Sequence, residues 1–307
     1  MNKKLLTKTP VIFALCILCC LLWGSAFPFV KIGYRLLEVA DGDVASMILF
    51  AGFRFFIAGI LAIIIGSFLQ KKPLFPQKSN LFRVFKLSLT QTVAQYFFFY
   101  VGLSNTTGVK SSIINGASSF FSILIACFIF RQERFTKFKL FGCVLGLCGI
   151  VLVNLDSSLL KFSLSFMGEG FMLLATLTSA LSAVMIKEYS KFENPVTLSG
   201  YQFAFGGIIM CTTGLIFGGR LNFSSIASVV LIVYLGLVSA VAYSLWGIML
   251  KYNSVSKITV FGFMIPVFGF FLSAIILKEG YNINLSSLLS LVLVSAGIYV
   301  VNKFSDN

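Results

Sequence analysis

The sequence predicts an all-α integral membrane protein: ten transmembrane helices arranged as two inverted five-helix repeats. Three observations carry this reading. Of 307 residues, 58% are hydrophobic and only 11% charged, against about 25% charged in an ordinary soluble domain. Ten apolar runs are long enough to cross a hydrocarbon layer of about 30 Å. The second half of the chain repeats the pattern of the first. So few charges cannot cover a water-facing surface, which sets aside a soluble enzyme, a nucleic-acid-binding domain and a disordered chain.

The predicted spans are 10–34, 44–69, 82–104, 109–130, 137–154, 166–187, 196–217, 225–249, 255–277 and 284–302. Short polar connections with turn chemistry separate them, among them Lys72-Pro73, Asn194-Pro195 and Gly218-Gly219. The first run follows Lys3, Lys4 and Lys8 much as a signal peptide would. From Val11 to about Val30, however, it has the roughly 20 residues of a spanning helix rather than the shorter core of a signal. It reads as a retained first helix.

Orientation follows from the basic residues. The net charge of +14 is not a nucleic-acid patch, because the Lys and Arg sit in short clusters between apolar runs, where an anionic membrane face holds them. With the N-terminus in the cytoplasm, 17 of the 24 fall inside and six outside (Lys31, Arg35, Lys110, Lys161, Arg220 and Lys278); Arg54 lies within a span. Both termini are therefore expected in the cytoplasm, in a multi-pass protein of the plasma membrane.

The repeat divides the chain into residues 1–155 and 156–307. SFFSILIACFIFRQE ending at Glu133 is similar to MIPVFGFFLSAIILKE ending at Glu279, and LCGIVLVN ending at Asn154 to SAGIYVVN ending at Asn302. FRFFIAG at 53–59 aligns with YQFAFGG at 201–207, and WGSAFPFVK ending at Lys31 with SALSAVMIK ending at Lys187. Five spans per half is an odd number, so the halves insert upside down relative to one another. An inverted repeat with a site at its interface is a transporter architecture.

These same pieces, in this order over nearly the whole chain, resemble the EamA family of the drug/metabolite transporter superfamily. The sequence departs from the family pattern at Phe120, where the first repeat often has the Pro seen at Pro266, and at RQERF and LKEGY, which replace the usual Gly-Glu pair. The resemblance implies a secondary transporter, most plausibly exporting amino acids or other small metabolites. Uptake or exchange of a larger metabolite, such as a nucleotide sugar or a vitamin, is the alternative within transport, and a membrane sensor or enzyme the alternative outside it.

Little catalytic chemistry is available. There is no His, the seven cysteines lie in apolar runs as small packing residues, and no metal set or cofactor is expected. No Asp or Glu lies centrally in a span, which argues against a buried carboxylate proton relay. Arg54 either hydrogen-bonds helix ends or loops, or serves as counter-charge to a substrate carboxylate. Ser88, Gln91 and Gln95 fall at i, i+3 and i+7 on one helix face, beside Tyr96 and Tyr100. Gln91, Gln95 and Asn115 are expected to face a central cavity because amides in hydrocarbon need several partners. Trp23, Tyr96, Tyr243 and Trp246 read as its amphipathic wall or as interface-belt aromatics. Pro28 and Pro266 are expected to kink their helices. The GxxxG of Gly142 and Gly146 allows close packing, within the chain or in a homodimer. The expected partners are a small-molecule substrate and the lipid bilayer, not nucleic acid.

Overall fold

The computed structural model describes residues 3–106, 114–153, 165–277 and 285–304. Ten helical segments follow in order: α1 Thr9–Leu36, α2 Val44–Gln70, α3 over 81–104, α4 Ile114–Ile129, α5 Lys137–Val153, α6 Phe166–Tyr189, α7 Pro195–Ile216, α8 Ile226–Tyr252, α9 Val255–Leu277 and α10 Leu285–Phe304. Among the described residues there is no strand. Five of the helices, α1, α2, α6, α8 and α9, are each long and apolar enough by themselves to cross a membrane. Ile64, Phe68, Ile216 and Ile226 turn outward with 60% to 85% of their surface exposed. In water such a belt would drive aggregation; in a bilayer it is the lipid face. Lys110, Ser111, Asn154, Asp156, Lys161, Lys278, Glu279 and Asp306 lie outside the described residues.

Local chemistry sets the helix ends. The Asp43 carboxylate accepts the Ser46 N–H at 3.0 Å to open α2, and Asn194 caps α7 through the Val196 N–H at 2.9 Å, with Pro195 in the first turn. α2 ends at Lys71 in the left-handed region, φ 52°, just before Pro73.

α2 and α7 form the tightest seam. Gly52, Gly59 and Gly66 on α2 recur every seventh residue, and Gly200, Gly207 and Gly214 on α7 do the same, each 148 residues after its counterpart. A Cβ at Gly52 would stand 2.5 Å from the Cys211 backbone nitrogen, one at Gly59 2.5 Å from that of Ala204, and one at Gly207 2.4 Å from that of Phe56. As the α2 number rises the α7 number falls, so the two helices run antiparallel. Exchanging the halves also maps other packings onto one another: α1 lies on α8 and α9, while α6 lies on α3 and α4.

The same logic joins α5 to α10. Gly142 faces Val301 and the Gly297 carbonyl, Gly149 faces Val294, and Gly146 meets the Phe263 ring of α9. The GxxxG face offered above for a homodimer is thus filled by helices of the same chain, and its glycines serve intramolecular packing.

Departures from α geometry are local. α3 consists of Leu81–Leu87, a π-helical Ser88–Ala94 and Gln95–Ser104, and α9 passes through a 3-10 turn at Val260–Phe263. Pro266, three residues beyond that turn, has no N–H to offer the Gly262 carbonyl. α1 runs through Pro28 as one helix. A Cβ at Gly24, one turn earlier, would be 2.6 Å from the Phe268 Cβ, so α1 and α9 meet closely at this proline.

At the end holding residues 70–80 and 188–194 the halves are tied by side chains. Asn194 donates to Gln70 at 2.8 Å, Asn80 to Glu193 at 3.1 Å, and Gln132 to Glu188 at 3.0 Å. Glu133 pairs with Lys139 at 3.0 Å and accepts from Val255 and Ser256 at the start of α9. Lys187 donates to the Leu250 and Asn253 carbonyls, closing the end of α8.

Candidate functional site

Between the halves, aromatic rings from both halves meet. Trp23 of α1 packs edge-on against Tyr243 and Trp246 of α8, with ring centroids 4.9 and 5.0 Å apart. Tyr243 in turn touches Phe203 of α7 at 4.8 Å, Phe203 stacks on Phe55 of α2 at 5.1 Å, and Phe55 meets Tyr96 of α3 at 4.4 Å. The chain of rings closes through the hydroxyls of Tyr96 and Tyr243, 3.0 Å apart. Tyr243 and Trp246 are buried, so in this conformation the cluster is packed shut.

Polar groups enter the cluster without finding partners. Arg54 is 6% exposed. Its guanidinium carbon lies 4.5 Å from the Phe55 ring centroid and 5.7 Å from that of Tyr96, and its charge acts on the hydroxyls of Tyr34, Tyr100 and Tyr243. Its Nε has no hydrogen-bond partner. Among the described residues no carboxylate pairs with it and no helix-end carbonyl holds it, so the first of the two roles foreseen for it is not the arrangement found. An Arg at membrane depth costs at least about 2.5–3.5 kcal/mol on insertion scales; cation–π contact offsets about 0.5–2 kcal/mol of this. Trp23 Nε1 and Gln95 Oε1 are likewise buried and unpartnered, while the Gln95 side chain stands beside Tyr243. Native interiors leave few such atoms, and several of those found here lie around this one cluster.

The structure thus brings Trp23, Arg54, Gln95, Tyr96, Tyr243 and Trp246 together. Gln91 is close in sequence but serves another contact: it is buried against α6, donating to Ser182 at 3.3 Å. The Ser88, Gln91, Gln95 stripe assumed α spacing, and the π segment breaks it. Ser88 and Gln91 sit in the π turns and are buried, whereas Gln95 opens the next α segment and is half-buried. π turns inside helices are frequent at functional sites. Asn115 of α4 is half-buried, and among the described residues no hydrogen bond joins it to the cluster.

Sequence reasoning missed Tyr34, Phe55, Thr92 and Phe203. Thr92 donates to Gln202 Oε1 at 2.6 Å within the α3–α7 contact, while Gln202 Nε2 is buried without a partner. A signal was available for Phe55 and Phe203: they occupy matching positions in FRFFIAG and YQFAFGG, 148 residues apart.

Likeness to known proteins agrees with this architecture. The chain is 26% identical to a WAT1-related chloroplastic protein of Arabidopsis thaliana, over 93% of this chain and 66% of that one. It is 29% identical to an uncharacterized transporter of Archaeoglobus fulgidus, over 91% of this chain and 94% of the other. With the uncharacterized transporter YetK of Bacillus subtilis it shares 24% identity, over 81% and 76%. A crystal structure at 14% identity superposes over 97% of this chain and 99% of its own, with a TM-score of 0.79, a likeness of fold. The EamA-like transporter family matches over residues 10–155 and again over 166–303. Two matches that together span almost the whole ten-helix bundle identify the chain as a member of that family, a multi-pass membrane transporter of small solutes.

Proposed function

We propose that the protein exports small polar or amphipathic metabolites, amino acids foremost, across the plasma membrane by alternating access. The observation that carries this reading is the cluster of unpartnered polar atoms and aromatic rings where α1, α2 and α3 of one half meet α7 and α8 of the other. A site shared by two halves opens to one side and then the other as the halves rock. The antiparallel packing of α2 on α7 supports an inverted repeat, since these helices carry matching sequence. With both termini cytoplasmic, the polar ties among residues 70–80, 132–133, 188–194 and 253–256 lie at the inner end. Closing that end is what an outward-releasing state needs.

Aromatic walls with a few polar handles suit a solute having an apolar body and polar ends. The test is a thermal-shift screen of the purified full chain with pooled metabolites. A true ligand at 100 times its dissociation constant stabilises by about 2.7 kcal/mol, and the hit is then followed in vesicles. A hit that is chemically altered without vesicles, or label reaching Asn105 from the N-terminal side, contradicts this reading.

A further inference from the structure

We propose that Arg54 anchors a carboxylate of the transported solute, making the protein selective for small organic monocarboxylates with an apolar body; this rests on the transport reading above. Arg54 is more than nine-tenths buried, its Nε has no partner, and among the described residues no carboxylate neutralises it. In the same cluster Trp23 Nε1 is a buried donor without a partner, and the guanidinium offers a planar fork matched to two carboxylate oxygens. A buried, unpaired cation selects an acceptor that carries negative charge.

The count of charges limits the ligand further. The position equivalent to Arg54 in the second half is Gln202, a neutral amide already accepting from Thr92. One guanidinium balances one negative charge, so a monocarboxylate fits and a dianionic phosphate leaves charge uncompensated at membrane depth. Phe55, Phe203, Trp23 and Trp246 offer ring surface to an apolar body, and Gln95 Oε1, buried and unpartnered, can accept an N–H from a solute that carries one.

The chain reports on this site by itself, because its two tryptophans are Trp23 and Trp246. Full-length protein in nanodiscs is titrated with leucine, phenylalanine, 4-methylpentanoate and 3-phenylpropionate, and with the primary amide of each, reading tryptophan emission. At least one carboxylate is expected to change the emission saturably, with its amide binding at least tenfold more weakly. Arg54→Gln, which copies the second half, is expected to abolish that difference. Arg54→Lys keeps the charge without the fork and is expected to bind the carboxylate at least threefold more weakly while still preferring it. Silence from all four carboxylates, equal binding of an amide, a retained preference in Arg54→Gln or undiminished affinity in Arg54→Lys overturns the proposal. Vesicle flux separates it from the function on which it rests: a carboxylate preference without flux removes transport and leaves the anchor, and flux without the preference does the reverse.

Discussion

Tyr96 and Tyr243 meet hydroxyl to hydroxyl at 3.0 Å, joining α3 of the first half to α8 of the second. At the repeat offset of 148 residues the counterpart of Tyr243 is Gln95, the neighbour of Tyr96 and itself beside Tyr243. Equivalent positions of the two halves therefore converge at the same point of the cluster. A bond there has to break whenever the halves separate.

Removing one partner of that bond is expected to cost more than removing both. Tyr243→Phe leaves the Tyr96 hydroxyl without its partner, a loss of about 1 kcal/mol, whereas Tyr96→Phe combined with Tyr243→Phe removes both polar groups and is expected to come back close to wild type. Unfolding temperatures of the two single variants and the double variant give the coupling directly. Strict additivity of the two single effects would show that the hydroxyls do not interact.

The α2–α7 seam leaves no space for a methyl group. Gly207→Ala puts a Cβ within 2.4 Å of the Phe56 backbone nitrogen, and backbone cannot step aside as a flexible side chain can. The expected destabilisation is about 1–3 kcal/mol, read as a lowered unfolding temperature in detergent. Gly59→Ala, at the matching place on α2, is expected to behave alike.

Much of the fold was legible because spans are long and the bilayer imposes one rule on all of them. Where the residues on both sides of a helix end are described, the predicted limit falls within three residues of the one found, as for Thr9–Leu36 and Ile226–Tyr252. The seven-residue period and 148-residue offset of the α2–α7 glycines are also in the letters, although the sequence reading singled out only Gly142 and Gly146. The site was legible only in part. Trp23, Tyr96, Tyr243 and Trp246 fall together as their amphipathic rings suggested, but the π turns around Gln91 changed which residues share a face, and no periodicity rule reports a π turn. Asn115 was chosen as an amide on a polar stripe of its helix, yet it is half-buried and among the described residues no hydrogen bond joins it to the cluster. Arg54 stood out as a charge, but its companions Tyr34 and Tyr100 come from other helices, and a single sequence does not reveal such contacts.

Glu133 and Lys139 form a pair at 3.0 Å with 7% and 2% of their side chains exposed. Glu133→Gln strands the buried ammonium with little besides the Arg134 carbonyl, and is expected to cost about 3 kcal/mol. Glu133→Gln with Lys139→Met is expected to recover part of the loss, because no unpaired charge then remains. Equal stability of the Glu133→Gln single variant and wild type would show that the pair does not hold this end of the bundle.

The start of α2 titrates outside the membrane. Hydrogen bonds from Ser46 hold the Asp43 carboxyl below its ordinary range. A lowered folded value means stabilisation that is present above the unfolded value of about 3.9 and is lost as pH falls through the lowered one. Asp43→Ala is therefore expected to cost about 1 kcal/mol near pH 6 and less near pH 3. A cost that does not change between these values would show that the cap does not depend on the charge.

Flux through the cluster is the most direct measurement. Vesicles carrying the full chain are loaded with a mixture of amino acids, and the contents remaining are followed by mass spectrometry for wild type and for Gln95→Leu. At least one amino acid is expected to leave the wild-type vesicles and to be retained by Gln95→Leu, whose unfolding temperature stays near wild type because the substitution removes an unpartnered amide oxygen. Retention of every solute by wild type, or equal loss from both, would contradict the assignment of this cluster as the path.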